Sequence, residues 1–330
     1  MSVSDRWDAY QQRRTWIGFP LAVFYKFFDD QGGYLAALLA YYALLSLFPL
    51  LLLMTTLLAF LLAGDVNTQH EVLRSTLEQF PVIGNDLRTN VHSLRGSAAA
   101  LVVGVLGSVY GGIGVAQAAQ NAMNDSWGVP RNRRPNPLKA RLRSAAVVGA
   151  LGLGVVATTV LSGLFASSGA LGHHLGPVGR ALTLVVSMLG NIALFGSGFH
   201  LLTASPVPRR QLLPGAVAAA LSWQVLQFVG GYYMAHTLKG ATHTYGFFGT
   251  VLGLVAFLHL AAVLTVLSAE VNVVRARRLW PRALLTPFTD DVDLTAADER
   301  SYESLARTQQ TKGFERIDVS FDGDTHSADS

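Results

Sequence analysis

LAALLAYYALLSLFPLLLLMTTLLAFLLAG, residues 35–64, contains no charged side chain. An apolar run of about 18 residues or more is long enough to cross a bilayer as a helix. This one nevertheless carries Tyr41, Tyr42, Ser46 and Pro49 in its first half. Polar groups are costly in hydrocarbon, so they should face a packed interior or a wet path. Which of the two applies here decides whether the segment only anchors the chain or also helps move something through the membrane.

The rest of the chain repeats the pattern. Apolar runs recur at roughly 35–63, 98–123, 144–167, 180–203, 212–235 and 246–272. Hydrophobic residues make up 51% of the chain and charged residues 14%, against about 25% charged in a typical soluble domain. Mean hydropathy is +0.36. The expected fold is therefore all-α, a polytopic membrane protein of six transmembrane helices. There is no cysteine, which removes disulfides, thiolate metal sites and cysteine nucleophiles. The first 34 residues lack the basic start and apolar core of a signal peptide, so no cleaved signal is expected.

Orientation follows from Lys and Arg in the short loops. The loop between the second and third runs carries Arg131, Arg133, Arg134, Lys139, Arg141 and Arg143. The next loop on the same side holds Arg209 and Arg210, and VRARRLWPR follows the last run. The opposite loops are mixed in charge at 64–97, free of Lys and Arg at 168–179, and carry only Lys239 at 236–245. Both termini are expected in the cytoplasm.

Residues 1–34 mix Arg13 and Arg14 with Trp7, Tyr10, Trp16, Phe19, Phe24 and Phe28. That composition suits an amphipathic interfacial helix, with rings at headgroup depth and Arg on anionic phosphate. A cap packed on the cytoplasmic loops is the alternative. Residues 281–330 read as an acidic, largely disordered cytoplasmic tail, with room for a short helix over 295–309. From 283 onward the tail holds eleven acids and four bases, so residues 1–282 carry a net charge of +11. A body this basic should attract anionic phospholipid at the inner face through Arg13, Arg14, Arg131, Arg133, Arg134, Arg141 and Arg143. Glycines lie inside the runs, at 104, 107, 111, 112 and 114 in the second and at 149, 152, 154 and 163 in the third. Such spacing lets helix backbones approach closely.

Three stretches carry a resemblance. AALLAYYALLSLFPLLL, AQAAQNAMNDSWGVP and TYGFFGTVLGLVAFLHLAAVLTVLSAEVNVV resemble, in that order, motifs of the YihY/BrkB family of bacterial inner-membrane proteins. The last stretch closes on an Ala-Glu-x-Asn pattern at Ala269, Glu270, Val271 and Asn272. Its centre, Phe257, Leu258 and His259, departs from the aromatic-rich pattern usual there, and the long acidic tail looks particular to this chain. The resemblance implies an inner-membrane protein linked to the envelope. The family's old label, ribonuclease BN, is generally regarded as a misassignment. The residues agree: metal-dependent phosphodiester cleavage needs converging carboxylates, and the runs contain one acid, Glu270, with Asp125 just beyond the second. No enzyme activity, cofactor, metal or nucleic-acid partner is expected.

The polar residues within the runs are the functional candidates. Gln117, Gln120, Asn121 and Asn124 fall at i, i+3, i+4 and i+7, one helical face, with Asp125 continuing it. Tyr41, Tyr42, Ser46, Gln224, Gln227, Glu270 and Asn272 concentrate toward the same half of the membrane. Together they would line a polar cavity open to the cytoplasm, with Pro49 bending the first span around its closed end. The simpler alternatives are helix-to-helix hydrogen bonding for the Gln and Asn residues, an ion pair of Glu270 with Arg275 or a loop Arg, a packing kink at Pro49, and a neutral packed His259. Three functions compete: a transporter or flippase of a lipid or other amphiphile, a cation/proton antiporter, and a non-transporting partner subunit of an envelope assembly that docks through loop 64–97.

Overall fold

The computed structural model describes residues 3–61, 98–136, 138–147, 149–150, 176–233, 239–289 and 292–321. Among the described residues the regular elements are helices. They are α1 (Val3–Arg13), α2 (Thr15–Asp29), α3 (Gly32–Leu61), α4 (Ala98–Ser126), α5 (Gly176–Leu202), α6 (Arg209–Tyr233), α7 (Lys239–Arg277) and α8 (Ala296–Thr308). A helical stretch also covers 138–147. Four stretches are long and apolar enough to cross a membrane, Val102–Ser126, Leu184–Leu202, Arg209–Gly230 and Val251–Arg277, and Gly32–Leu47 of α3 is a shorter apolar one. Most of the expected run at 144–167, and all but 176–179 of loops 64–97 and 168–179, lie outside the described residues.

The spanning helices pack as a bundle. α3 lies against α4 and α7, α6 lies against α5 and α7, and α4 touches both α5 and α7. The tightest seam is between α3 and α4. A Cβ placed on Gly111 would come 2.5 Å from the Ser46 Cβ, one on Gly107 would come 2.7 Å from the Pro49 Cβ, and one on Gly114 would strike the Tyr42 ring. The glycine spacing thus takes up the bulk of the polar half of α3. The same closeness joins α6 to α7, where a Cβ on Gly215 would strike the Ser268 carbonyl and the Asn272 side chain.

The larger core lies at the end of the bundle that carries the basic 131–143 segment. It joins Val23 and Phe27 of α2, Leu39 of α3, Met123 of α4, Phe199 of α5, Leu212 of α6 and Val266, Val273 and Val274 of α7, with alanines between them. A smaller cluster sits further along the bundle, around Leu47, Leu226, Leu254 and Phe257. The N-terminal segment forms two helices rather than one. α2 packs on α7 and buries Ala22, Val23, Tyr25, Lys26 and Phe27. Trp7, Trp16, Phe24, Phe28 and Tyr34 stay exposed.

Three left-handed residues end helices at this basic end: Gln31, Gly128 and Arg278. At Gly128 the backbone N–H donates to the Asp125 carbonyl at 2.8 Å, and that of Val129 to the Asn124 carbonyl at 2.8 Å. Glycine is favoured in this conformation because it has no Cβ. A Cβ here would also press on Ser304 of α8. The α8 helix starts with a capping box: Asp298 N–H donates to Thr295 Oγ1, and the Asp298 carboxylate accepts from Thr295 N–H at 3.0 Å. This part of the acidic segment is therefore a helix docked at the basic end, in contact with Arg277 and Arg282 through the bonds given below.

Candidate functional site

The last span positions the site. At about 1.5 Å per residue, the 39 residues of α7 extend well past about 30 Å of hydrocarbon. Its final turns meet the ends of α2 and α4. Glu270 is there, with none of its surface exposed. Its Oε1 accepts a hydrogen bond from Ser126 Oγ at the end of α4. Its Oε2 is buried and has no hydrogen-bond partner among the described residues. Beside it, Lys26 and Asp30 form a buried ion pair one turn apart. The Glu270 carboxyl meets that of Asp30, and Lys26 and Asp29 also act on it electrostatically. Asp30 lies outside the spans. Burial, then the Glu270 charge, hold its pKa well above the usual carboxylate range, and Lys26 only partly offsets this.

A second buried centre adjoins the first. The Arg282 guanidinium bonds Asp298, reaches Asp29 at 2.9 Å and contacts Ser301 at 3.2 Å. It also stacks over the rings of Tyr25 and Tyr302, at 5.9 and 5.4 Å from their centroids. The nearby carboxylates hold its pKa above the ordinary Arg value despite burial. Arg277 bridges the two centres by bonding the Trp127 carbonyl and donating to Ser304 Oγ at 2.7 Å.

The sequence candidates separate into two groups. One knits the helices together. Gln120 Nε2 donates to Ser144 Oγ at 2.8 Å, and Asn124 Oδ1 accepts from Ala204 N–H at 2.9 Å. Asn272 Oδ1 accepts from Gly215 N–H at 2.6 Å, while Asp125 pairs with Arg134 at 2.6 Å. Ser46 bonds the Ala43 carbonyl in its own helix at 2.9 Å. Tyr42, Ser46 and Pro49 sit in the α3–α4 seam. The other group makes no side-chain hydrogen bond among the described residues. Tyr41 is 59% exposed, and its ring meets Tyr42 edge-on at 5.3 Å. Asn121 and Gln224 are exposed, Gln117 and Gln227 are half-buried, and none of these four hydrogen-bonds a described residue through its side chain. His259 and His200 are exposed.

The arginines divide in the same way. Arg143 donates to the carbonyls of Leu201 and Thr203 at 3.0 and 2.7 Å, and Arg134 is held by Asp125 and the Val129 carbonyl. Arg13, Arg14, Arg131, Arg133 and Arg141 are exposed, with Arg14 lying 5.7 Å from the Tyr10 ring centre. Sequence reasoning did not single out Lys26, Asp30, Ser126, Arg277, Arg282 or Asp298. The i, i+4 pairing of Lys26 with Asp30 inside an aromatic stretch, and the Thr295-x-x-Asp298 cap, were the available signals. Arg275 is exposed, and Glu270 is bonded by Ser126 instead. Among the described residues no group of three His, Cys, Asp or Glu is arranged to hold a metal.

The virulence factor BrkB family matches residues 23–287, a range that takes in the four membrane-length stretches among the described residues, the centre at Glu270, and Arg282 but not its α8 partners Asp298, Ser301 and Tyr302. The chain belongs to the BrkB family. Among its relatives is the ribonuclease-like protein YfkH of Bacillus subtilis, 26% identical over 274 residues that cover 79% of this chain and 96% of YfkH. The inner membrane protein YhjD of Escherichia coli is 23% identical over 275 residues, covering 78% of this chain and 81% of YhjD. No solved structure matches. The Ala-Glu-x-Asn pattern that carried the resemblance to the BrkB family is the segment that holds Glu270 and Asn272 at the centre of the packed end.

Proposed function

We propose that this protein is a six-span transporter of the cytoplasmic membrane, with both termini in the cytoplasm, that moves a lipid or another amphiphile across it. The location extends to this chain what the name of YhjD says of that relative. The orientation is supported by the Lys and Arg of the 131–143, 209–210 and 275–282 segments. On this reading the basic end is the cytoplasmic end.

One observation carries the transport reading. Tyr41, Asn121 and Gln224 are exposed on helices otherwise built for hydrocarbon, and neither amide hydrogen-bonds a described residue through its side chain. Polar side chains at membrane depth are costly unless they face something polar. A headgroup passing along the bundle while its acyl chains stay in lipid would supply that contact. The exposed arginines at the basic end would collect anionic phospholipid from the inner leaflet.

The test is headgroup accessibility in proteoliposomes. Fluorescent phospholipid is quenched by dithionite from outside, with an Asn121→Leu/Gln224→Leu variant alongside. Both positions are exposed, so the variant should fold as the parent does. Quenching well past half in the parent, reduced to half in the variant, is expected. Quenching that stops at half with both proteins refutes passive movement of those lipids.

A further inference from the structure

The buried charges near Glu270 do not balance by hydrogen bonding alone. Two carboxyl groups, Asp30 and Glu270, meet where one ammonium, Lys26, is bonded to Asp30. Lys26 is hydrogen-bonded to Asp30 and makes no hydrogen bond to Glu270. Arg277 feels both carboxylates, but its guanidinium is committed to the Trp127 carbonyl and Ser304 Oγ. Asp29 adds a further negative charge and is itself held by Arg282 at 2.9 Å. From α4 the group facing Glu270 is the uncharged Ser126 hydroxyl.

Two ionised carboxylates are acceptors only and cannot bond one another; a single proton between them turns the repulsion into a hydrogen bond. Glu270 Oε2 is fully buried with no donor among the described residues, on a residue with no exposed surface. We propose that Glu270 and Asp30 share one proton, with Lys26 as counter-ion, and that this pair is a proton-binding site of the protein. Taking up the proton brings the net charge of Lys26, Asp30 and Glu270 from −1 to zero. The upward displacement of the Asp30 pKa by burial and by Glu270 agrees with this geometry.

The site joins α2, α4 and α7, so its charge state acts on the packing of three helices at once. That this proton is exchanged during transport rests on the transporter reading above. The existence of the shared proton does not.

Infrared difference spectroscopy of the full chain in lipid nanodiscs tests the proton directly, through the C=O stretch of a buried protonated carboxyl. The wild type should show that band at neutral pH, and it should be lost as pH is raised. Glu270→Gln and Asp30→Asn should each abolish it, because the remaining carboxylate then pairs with Lys26 and ionises. Absence of the band in the wild type overturns the proposal, and this arm needs no variant to fold. A band that persists in both variants overturns it as well, since the proton then resides elsewhere. Dithionite quenching at two pH values separates the two readings. The infrared band with no lipid movement leaves the proton site standing and refutes the transport reading. Lipid movement without the band does the reverse.

Discussion

Replacing Arg282 with Met should release α8 from the bundle. The Arg282 side chain is 1% exposed, and the two carboxylates it bonds, Asp298 and Asp29, are 0% and 16% exposed. Removing one partner of a buried pair costs about 3–5 kcal/mol, because the other charge is left uncompensated. Here the lower end applies. Asp298 keeps Thr295 Oγ1 at 2.7 Å and the N–H groups of Thr295 and Ala283, each at 3.0 Å, and Asp29 can recover water. A loss of about 3 kcal/mol raises the frequency of local opening about a hundredfold. Hydrogen exchange of residues 296–308, read by mass spectrometry in detergent or nanodiscs, reports that opening. The control is Arg307→Ala, which breaks the Arg307–Glu303 pair at 2.5 Å, with side chains 56% and 39% exposed. An exposed pair of this kind contributes less than about 1 kcal/mol, so exchange should rise no more than about fivefold. If Arg282→Met changes exchange no more than the control does, Arg282 does not hold the helix in place, and the reasoning fails.

Other expectations follow from the same geometry. Gly111→Ala should destabilise the protein by about 1–3 kcal/mol through overpacking against Ser46, seen as a lower thermal midpoint in detergent. Gln120→Leu should cost about 1 kcal/mol through the loss of the buried hydrogen bond to Ser144 Oγ, which keeps its own bond to the Ala140 carbonyl. Asn121→Leu, one residue on, should stay within about 0.5 kcal/mol of the parent, and equal effects at the two positions would contradict the burial assigned to them. For pH, the folded pKa of Asp30 is raised, so the native state binds more protons than the unfolded chain. Stability from this group is present at low pH and falls as pH climbs from the usual carboxylate range through the raised value. Asp30→Asn should flatten that decline in a series of thermal midpoints against pH.

The spans were readable because hydropathy over about 18 residues depends on composition alone. The partners of individual polar side chains were not. Gln120 and Asn121 belong to one stripe by spacing, yet neighbours on a helix point about 100° apart. One meets Ser144 while the other faces outward. Arg282 reads in sequence as one more residue of a basic juxtamembrane run, and only the return of α8 buries it. Lys26 and Asp30 were hidden in the same way, inside a segment whose aromatic rings suggested an interface. Glu270 stood out as the lone acid of the spans. The carboxyl it meets comes from the turn after α2, about 240 residues away in the chain, a distance that no local pattern bridges.

The seam between α3 and α4 limits how the bundle can move. Pro49, Ser46 and Tyr42 seat on Gly107, Gly111 and Gly114 like teeth on a rack, with backbone or ring atoms filling the space where a methyl group would stand. Sliding one helix along the other would lift each tooth out of the gap its glycine leaves and press it on the α4 backbone between those glycines. The two helices therefore travel as a single lever. Any rearrangement that alternately exposes the two sides of the membrane must hinge at the other seams, with α4 swinging against α5 or α3 against α7.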